Sequence, residues 1–131
     1  MLLSVVAAVA RSRSALRFHY NGVMGKTAAK RDPRTLALDE VLRALRAELP
    51  NLEQGYGVRS LGVFGSIVRD EQRPRSDIDI LVEFQRTPTF FEFIELEDRL
   101  AELLGAKVDL VMRSALKPRI GERILAEVVN V

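Results

Sequence analysis

The sequence predicts a small α/β or α+β domain, because helix-like and strand-like segments alternate along one chain. Three short apolar runs, 58–64, 77–84 and 107–112, have the composition of buried β-strands. Apolar residues at helical spacing occur before the first run, between the second and third, and after the third. We therefore expect one sheet with helices packed against it.

The overall composition narrows the classes of protein and of site. With 131 residues, the chain is long enough for one domain with one core. It is 47% hydrophobic and 29% charged, as is typical of a soluble globular protein. The absence of cysteine excludes disulfides and thiolate metal sites, and the single histidine, His19, excludes a multi-histidine site within one chain. We expect a cytoplasmic protein.

The charge distribution divides the chain into a basic N-terminal extension, 1–30, and a mildly acidic domain, 31–131. The extension has five Lys or Arg and no acid, whereas the domain has fifteen Lys or Arg against eighteen Asp or Glu. The apolar run 1–10 is too short to span a bilayer, and its positive charges follow it instead of preceding it. Three interpretations stay open: a disordered or dispensable segment, a transit peptide, and a true start nearer Met24.

Turn and capping residues predict where the helices begin and end. The first helix follows a candidate cap at Asp32, has apolar residues at 38, 41, 42, 45 and 49, and is predicted to stop at Pro50, with a loop over 51–57. One or two helical turns are predicted from Ser66. The next long helix begins with a capping box at Thr89 and ends at Gly105. The last helix is predicted over 117–129.

Two aspartates at the start of the second strand are the first candidate site residues. Asp77 and Asp79 are two residues apart, so they point to one face of a strand, about 6.6 Å apart along it, while Ile78 and Ile80 point to the other face and the core. Asp109 occupies a similar place in the third strand. If the two strands are neighbours, three carboxylates converge, and such an oxygen-rich site suits Mg²⁺ or Mn²⁺.

A glycine and a serine at the end of the first strand supply the complementary half of a site. Gly65 permits a sharp turn and a close approach to a ligand, and the N–H groups after it, with the Ser66 hydroxyl, can bind phosphate oxygens. Arg69 is one turn further on and could add a positive charge. A phosphate site beside a carboxylate metal site predicts nucleotidyl transfer from a nucleoside triphosphate.

Each of these motifs alone is more often structural than functional. Gly-Ser after a strand is usually a turn, Asp-x-Asp is usually a solvated strand start, and Asp109 alone would be an edge-strand charge. Their joint occurrence in this order favours the functional interpretation. For Phe90, Phe91 and Phe93 we favour core and interface roles over a base-stacking surface.

With these residues placed, residues 36–131 resemble the minimal nucleotidyltransferases, the small stand-alone branch of the polymerase-β-like superfamily. The family pattern is Gly-Ser, ten residues, then Asp-x-Asp, matched by Gly65, Ser66, Asp77 and Asp79. The resemblance implies the nucleotidyltransferase fold, a small mixed sheet flanked by helices. It also implies Mg²⁺ at the aspartate pair, with Asp109 orienting or deprotonating the acceptor. Many relatives have glycine after the arginine, whereas here Asp70 follows Arg69.

The resemblance further implies a partner. Minimal nucleotidyltransferases act as antitoxins of HEPN-domain toxins, by binding them and by transferring AMP from ATP to a toxin tyrosine. A second copy of the chain is another acceptor that the sequence leaves open. The main alternative is an antitoxin that binds nucleotide without turnover and neutralises its partner by complex formation. A nucleic-acid-binding module that uses the basic extension ranks last, because the domain proper is net acidic.

Overall fold

The structure is a computed structural model that describes residues 36–73 and 76–131. The basic extension, the candidate cap Asp32 and the candidate start Met24 lie outside the described residues. The described part contains a four-stranded sheet, three α-helices and two short 3₁₀ turns. In chain order these elements are α1 (Leu38–Tyr56), β1 (Val58–Phe64), a 3₁₀ turn (Gly65–Ile67), β2 (Ile78–Phe84), α2 (Phe90–Leu104), β3 (Val108–Met112), a 3₁₀ turn (Arg113–Ala115), α3 (Pro118–Glu127) and β4 (Val129–Asn130).

The sheet is mixed, which confirms the predicted fold class. Its strand order is β3-β2-β1-β4. Strand β1 is antiparallel to both β2 and β4, and β2 is parallel to β3 through the α2 crossover. The two candidate carboxylate strands, β2 and β3, are therefore neighbours, as the predicted site requires.

The larger core lies on the sheet face that α1 and α2 cover. Alternate residues of β2 and β3 point into it, as the strand period of two predicts. Buried members from these two strands are Ile78, Ile80, Val82, Val108, Leu110 and Met112, and the helices contribute Val41, Leu45, Leu52, Leu96 and Leu100.

A second, smaller core, which the sequence analysis does not predict, covers the opposite face of the sheet, on which the aspartates lie. Ile124 of α3 is fully buried there against Phe64, Leu81 and Val111. The predicted orientation of the alternating residues is confirmed, but the second face is packed against α3 instead of being open. The carboxylates on that face are consequently more buried than expected.

The predicted stop at Pro50 is wrong, because α1 continues through this residue to Tyr56. A proline inside a helix costs roughly 3 kcal/mol. Pro50 is exposed, but Leu52, one turn beyond the first buried stripe, is 1% exposed and Tyr56 packs against the larger core. Packing of the extra turn and a half offsets the cost, and the helix ends at Gly57, whose φ is 69°.

The other helix boundaries follow their capping residues closely. At the start of α2, Thr89 and Glu92 form both hydrogen bonds of the capping box, and Gly105 ends the helix with φ of 61°. Helix α3 ends at Glu127, two residues before the predicted end, because Val129 and Asn130 pair with β1 as β4. No helix in the described part of the chain combines the length and apolar character needed to cross a bilayer.

Candidate active site

The register of β2 and β3 places two of the predicted carboxylates side by side. Asp79 and Asp109 are direct partners in the parallel ladder, so their side chains leave the same face of adjacent strands. Asp77 lies two residues before Asp79, just before β2 begins, and shares that face by alternation. The structure thus brings Asp77, Asp79 and Asp109 to one end of the β2–β3 pair, as predicted.

The aspartate pair points away from the larger core, as predicted, but both residues are buried. Asp79 is 0% exposed and Asp77 is 7% exposed. The cause is the second core, since α3 and the turn after β1 cover this face of β2. Charged carboxylates in such surroundings need a cation or hydrogen-bond donors, because water is excluded from them.

Gly65 lies directly against the Asp79 carboxylate. Its φ is +85°, in the left-handed region that disfavours residues with a Cβ, and a Cβ built on it would overlap the Oδ2 of Asp79. Phe64, the residue before it, is the ladder partner of Asp79. Glycine is therefore required twice at this position, by backbone conformation and by space.

Ser66 follows within a short 3₁₀ turn whose hydrogen bonds return to Gly65. The amides of Val68 and Arg69 donate to the Gly65 carbonyl at 3.1 and 3.2 Å. The Ser66 Oγ is buried and has no hydrogen-bond partner within residues 36–73 and 76–131. A buried hydroxyl beside a tight turn can donate to or accept from a ligand, which is the arrangement the phosphate prediction needs.

Arg69 forms ion pairs with two glutamates near the glycine turn. Its Nη1 donates to Glu127 Oε1 at 2.7 Å, and its Nε lies 3.5 Å from Glu71 Oε1. The phosphate-binding role of Arg69 stays a prediction. Asp70, where many relatives have glycine, adopts a φ of +57°, a conformation that glycine favours and aspartate tolerates.

Glu127 is the residue at this site that the sequence reasoning missed. It is the last residue of α3, and its Oε2 accepts the Gly65 N–H at 2.8 Å. The glycine turn and Glu127 are 62 residues apart in the chain. A glutamate at the exposed-looking end of an amphipathic helix carries no sequence signal for such a contact.

The donor set fits a hard divalent cation by its chemistry. Asp77, Asp79 and Asp109 provide only carboxylate oxygens, which Mg²⁺ and Mn²⁺ prefer. Within the described residues, no three Asp, Glu, His or Cys side chains are already arranged as a complete metal-binding group.

The three phenylalanines that the sequence analysis considered, Phe90, Phe91 and Phe93, lie in the first turn of α2. Phe93 belongs to the larger core, whereas Phe90 and Phe91 are 45% and 80% exposed. The rings of these two residues meet edge to face with centroids 5.9 Å apart. The core role is confirmed for Phe93, and the interface role of the other two stays a prediction.

Comparison with known proteins gives consistent matches in sequence and structure. Residues 38–130 match the nucleotidyltransferase domain family. The chain is 50% identical over 96 residues to the protein adenylyltransferase MntA of Thermococcus cleftensis, which covers 73% of this chain and 97% of the relative. A solved structure provisionally described as a minimal nucleotidyltransferase has a TM-score of 0.62 at 38% identity, covering 73% of this chain and 97% of that one. A toxin–antitoxin structure with AMP-PNP has a TM-score of 0.55 at 25% identity, covering 72% of each chain.

Proposed function

This chain belongs to the nucleotidyltransferase family and is a nucleotidyltransferase, and we propose that it transfers AMP from ATP to a hydroxyl group on a partner protein. One observation carries the proposal. Asp79 and Asp109 are register partners on adjacent parallel strands, and the Gly65–Ser66 turn packs directly against Asp79. The turn to which we assign phosphate and the acidic pair thus lie next to each other.

We assign the triphosphate to the Gly65–Ser66 turn. The buried Ser66 hydroxyl is the group that the turn offers to phosphate oxygens, whereas the Val68 and Arg69 amides donate to the Gly65 carbonyl. Because Gly65 has no side chain, the turn can lie directly against the Asp79 carboxylate, so a phosphate bound to the turn would lie close to the aspartates.

The three aspartates divide between ion binding and proton transfer. Mg²⁺ or Mn²⁺, when bound by Asp77 and Asp79 with Asp109, would neutralise phosphate charge. In the reaction, the acceptor hydroxyl oxygen forms a bond to the α-phosphorus. The bond from that phosphorus to the bridging oxygen breaks, and pyrophosphate leaves with the electron pair. Asp109, which is half-buried, orients the acceptor hydroxyl and takes its proton.

The proposed acceptor is a tyrosine of a HEPN-domain toxin, for which this chain acts as the antitoxin. The tyrosine and the HEPN domain are what the family resemblance implies, and three observations support a protein acceptor in a toxin–antitoxin pair. The relative from Thermococcus cleftensis is named a protein adenylyltransferase, a structural neighbour is a toxin–antitoxin assembly with AMP-PNP, and the motif match is to the minimal branch of the family.

Label transfer from ATP tests the proposal directly. Purified protein, Mg²⁺ and the protein encoded beside it are incubated with α-³²P-ATP or, in parallel, γ-³²P-ATP. We expect label on the partner from the α-position only. Asp79→Asn should lower the rate more than about 100-fold, beyond the 10–100-fold loss typical of residues that only support a metal ligand.

Asp98→Asn is the matched control, because Asp98 lies on the exposed side of α2 and has no place in the site. It should transfer label at the wild-type rate. Label from the γ-position would contradict AMP transfer. No label from either position, with a stable complex of the two proteins, would favour a nucleotide-binding antitoxin that acts by complex formation.

A further inference from the structure

Glu127 links the end of α3 to the turn that the proposed function assigns to phosphate. One carboxylate oxygen accepts the Gly65 N–H at 2.8 Å, and the other accepts Arg69 Nη1 at 2.7 Å. Its side chain is only 11% exposed. Charge-assisted hydrogen bonds of this length are the strong class, and the low exposure strengthens them further.

We propose that Glu127 is a positioning residue that holds the Gly65–Ser66 turn in its nucleotide-binding shape, a role that rests on the proposed function. The Gly65 N–H lies just beyond the end of β1, where the sheet ladder with β2 has ended at Phe64. A buried N–H at that point needs another acceptor, and Glu127 provides it. Because Gly65 also packs against Asp79, the same contact sets the distance between the turn and the aspartates.

Buried residues on either side of Glu127 keep its carboxylate in place. Ile124, one turn earlier, is 0% exposed in the second core. Val128, the next residue, packs so closely on Gly62 of β1 that a Cβ there would overlap it, and its N–H donates to the Ile124 carbonyl at 2.8 Å. The backbone at Glu127 is therefore anchored from both directions.

Arg69 has a defined part in this arrangement. Glu127 adds a fourth carboxylate to a region that already contains three aspartates, and like charges at close range are unfavourable. The Arg69 guanidinium, at 2.7 Å, offsets that charge. The positive charge of Arg69 then stabilises the contact between the Gly65–Ser66 turn and α3. Its effect on phosphate binding is indirect, through the shape of the turn.

The opposite role would be a plug, in which Glu127 occupies an N–H that phosphate needs and must leave before nucleotide binds. The two roles predict opposite signs. Removing a positioning residue weakens nucleotide binding, whereas removing a plug strengthens it.

The test compares Glu127→Ala and Glu127→Gln with a control, Glu122→Gln, on the exposed side of the same helix. Amide hydrogen exchange measured by NMR reports the Gly65 contact without any ligand. Calorimetric titration with α,β-methylene-ATP and Mg²⁺ reports nucleotide affinity. For Glu127→Ala we expect the amide of Gly65 to exchange about tenfold faster than in the wild-type protein, while the exchange rates of Val63 and Ile80 stay unchanged. Its nucleotide Kd should rise about 10–100-fold.

Glu127→Gln retains one carbonyl oxygen for the Gly65 N–H but loses the charge that pairs with Arg69, so intermediate effects are expected. This variant keeps the proposal falsifiable if the alanine variant fails to fold. Tighter nucleotide binding in either variant overturns the proposal in favour of a plug. Faster Gly65 exchange with unchanged affinity overturns it in favour of a purely structural contact. A wild-type protein that binds no nucleotide overturns the proposed function and this role together.

Discussion

Asp79 lies in surroundings that its position in the sequence does not reveal. It is fully buried, it stands beside Asp109 in the sheet, and Gly65 packs on its carboxylate. A carboxylate in such surroundings is costly unless a cation or donors stabilise it. If phosphate reacts beside Asp79, as we propose, the same burial would exclude water from it and strengthen electrostatic interactions there.

Asp109 should affect chemistry more than nucleotide binding. Asp109→Asn keeps the size of the side chain but cannot accept the proton of the acceptor hydroxyl, so kcat for AMP transfer should fall about 10²–10⁴-fold. The Kd for Mg²⁺ and α,β-methylene-ATP should change much less. Rapid-quench kinetics and calorimetry measure the two quantities. Equal losses in both would identify Asp109 as an ordinary metal ligand instead.

Among the secondary-structure elements, α2 shows how a local signal translates into structure without tertiary help. Its capping box at Thr89 and Glu92 and its glycine stop at Gly105 form as the sequence predicts. The helix also protects the edge of the sheet, since Glu97 accepts the Leu110 N–H of the edge strand β3 at 3.1 Å. That contact depends on the crossover geometry and has no local signal.

The capping box should contribute to stability in a pH-dependent manner. The Thr89 N–H first, and then Arg86, hold the pKa of Glu92 below its ordinary value. A carboxyl with a lowered folded-state pKa stabilises the fold above its unfolded pKa, and this stabilisation is lost as pH falls through the folded pKa. Glu92→Gln should therefore lower the urea midpoint at pH 7 and lower it by less at pH 3.

Two further variants complete this experiment. Glu95→Gln, on the exposed side of the same helix, should leave the midpoint unchanged at both pH values. Thr89→Ala, which removes the other half of the box, should cost about 1 kcal/mol in the free energy of unfolding at pH 7. A Glu92→Gln effect of equal size at both pH values would show that charge has no part in the cap.

In the fold as a whole, the C-terminal segment joins the sheet, the second core and the site. Helix α3 covers the face that contains the aspartates, β4 pairs with β1, and Glu127 lies between them at the glycine turn. Gly62 makes this junction possible, because a Cβ at that position would overlap Val128. Gly62, which has no functional group, therefore affects how closely the chain after α3 packs over the site.

Gly62→Ala should displace Val128 and loosen both β4 and the Glu127 contact. Overpacking of this kind typically costs about 1–3 kcal/mol, which thermal or urea unfolding would detect. Gly55→Ala is the control. Gly55 lies in α1, and a Cβ added to it would meet no atom within 4 Å. The control should stabilise the protein by about 0.5–1 kcal/mol. Equal stability of the Gly62→Ala and wild-type proteins would show that α3 and β4 can shift without lowering the free energy of unfolding.

Local patterns in the sequence were sufficient for β1, β2 and β3, for the capping box of α2 and for the faces on which Asp77, Asp79 and Asp109 lie, but not for β4, whose Val129 was assigned to the last helix. Each of these depends on interactions within a few residues or on the strand period of two. The continuation of α1 through Pro50 was not predictable in this way, because it depends on packing of Leu52 against residues far away in the chain.

The register of Asp79 with Asp109, the burial of the aspartate face and the Glu127 contact all required the folded arrangement. They join residues far apart in the chain, Asp79 with Asp109, Leu81 with Ile124 and Gly65 with Glu127, for which a single sequence contains no local signal. The chain itself specifies which chemical groups are available and on which side of each strand they lie. Their distances and their exclusion from water depend on how the α2 crossover and α3 pack on the sheet, because hydrophobic burial acts between elements that are remote in sequence.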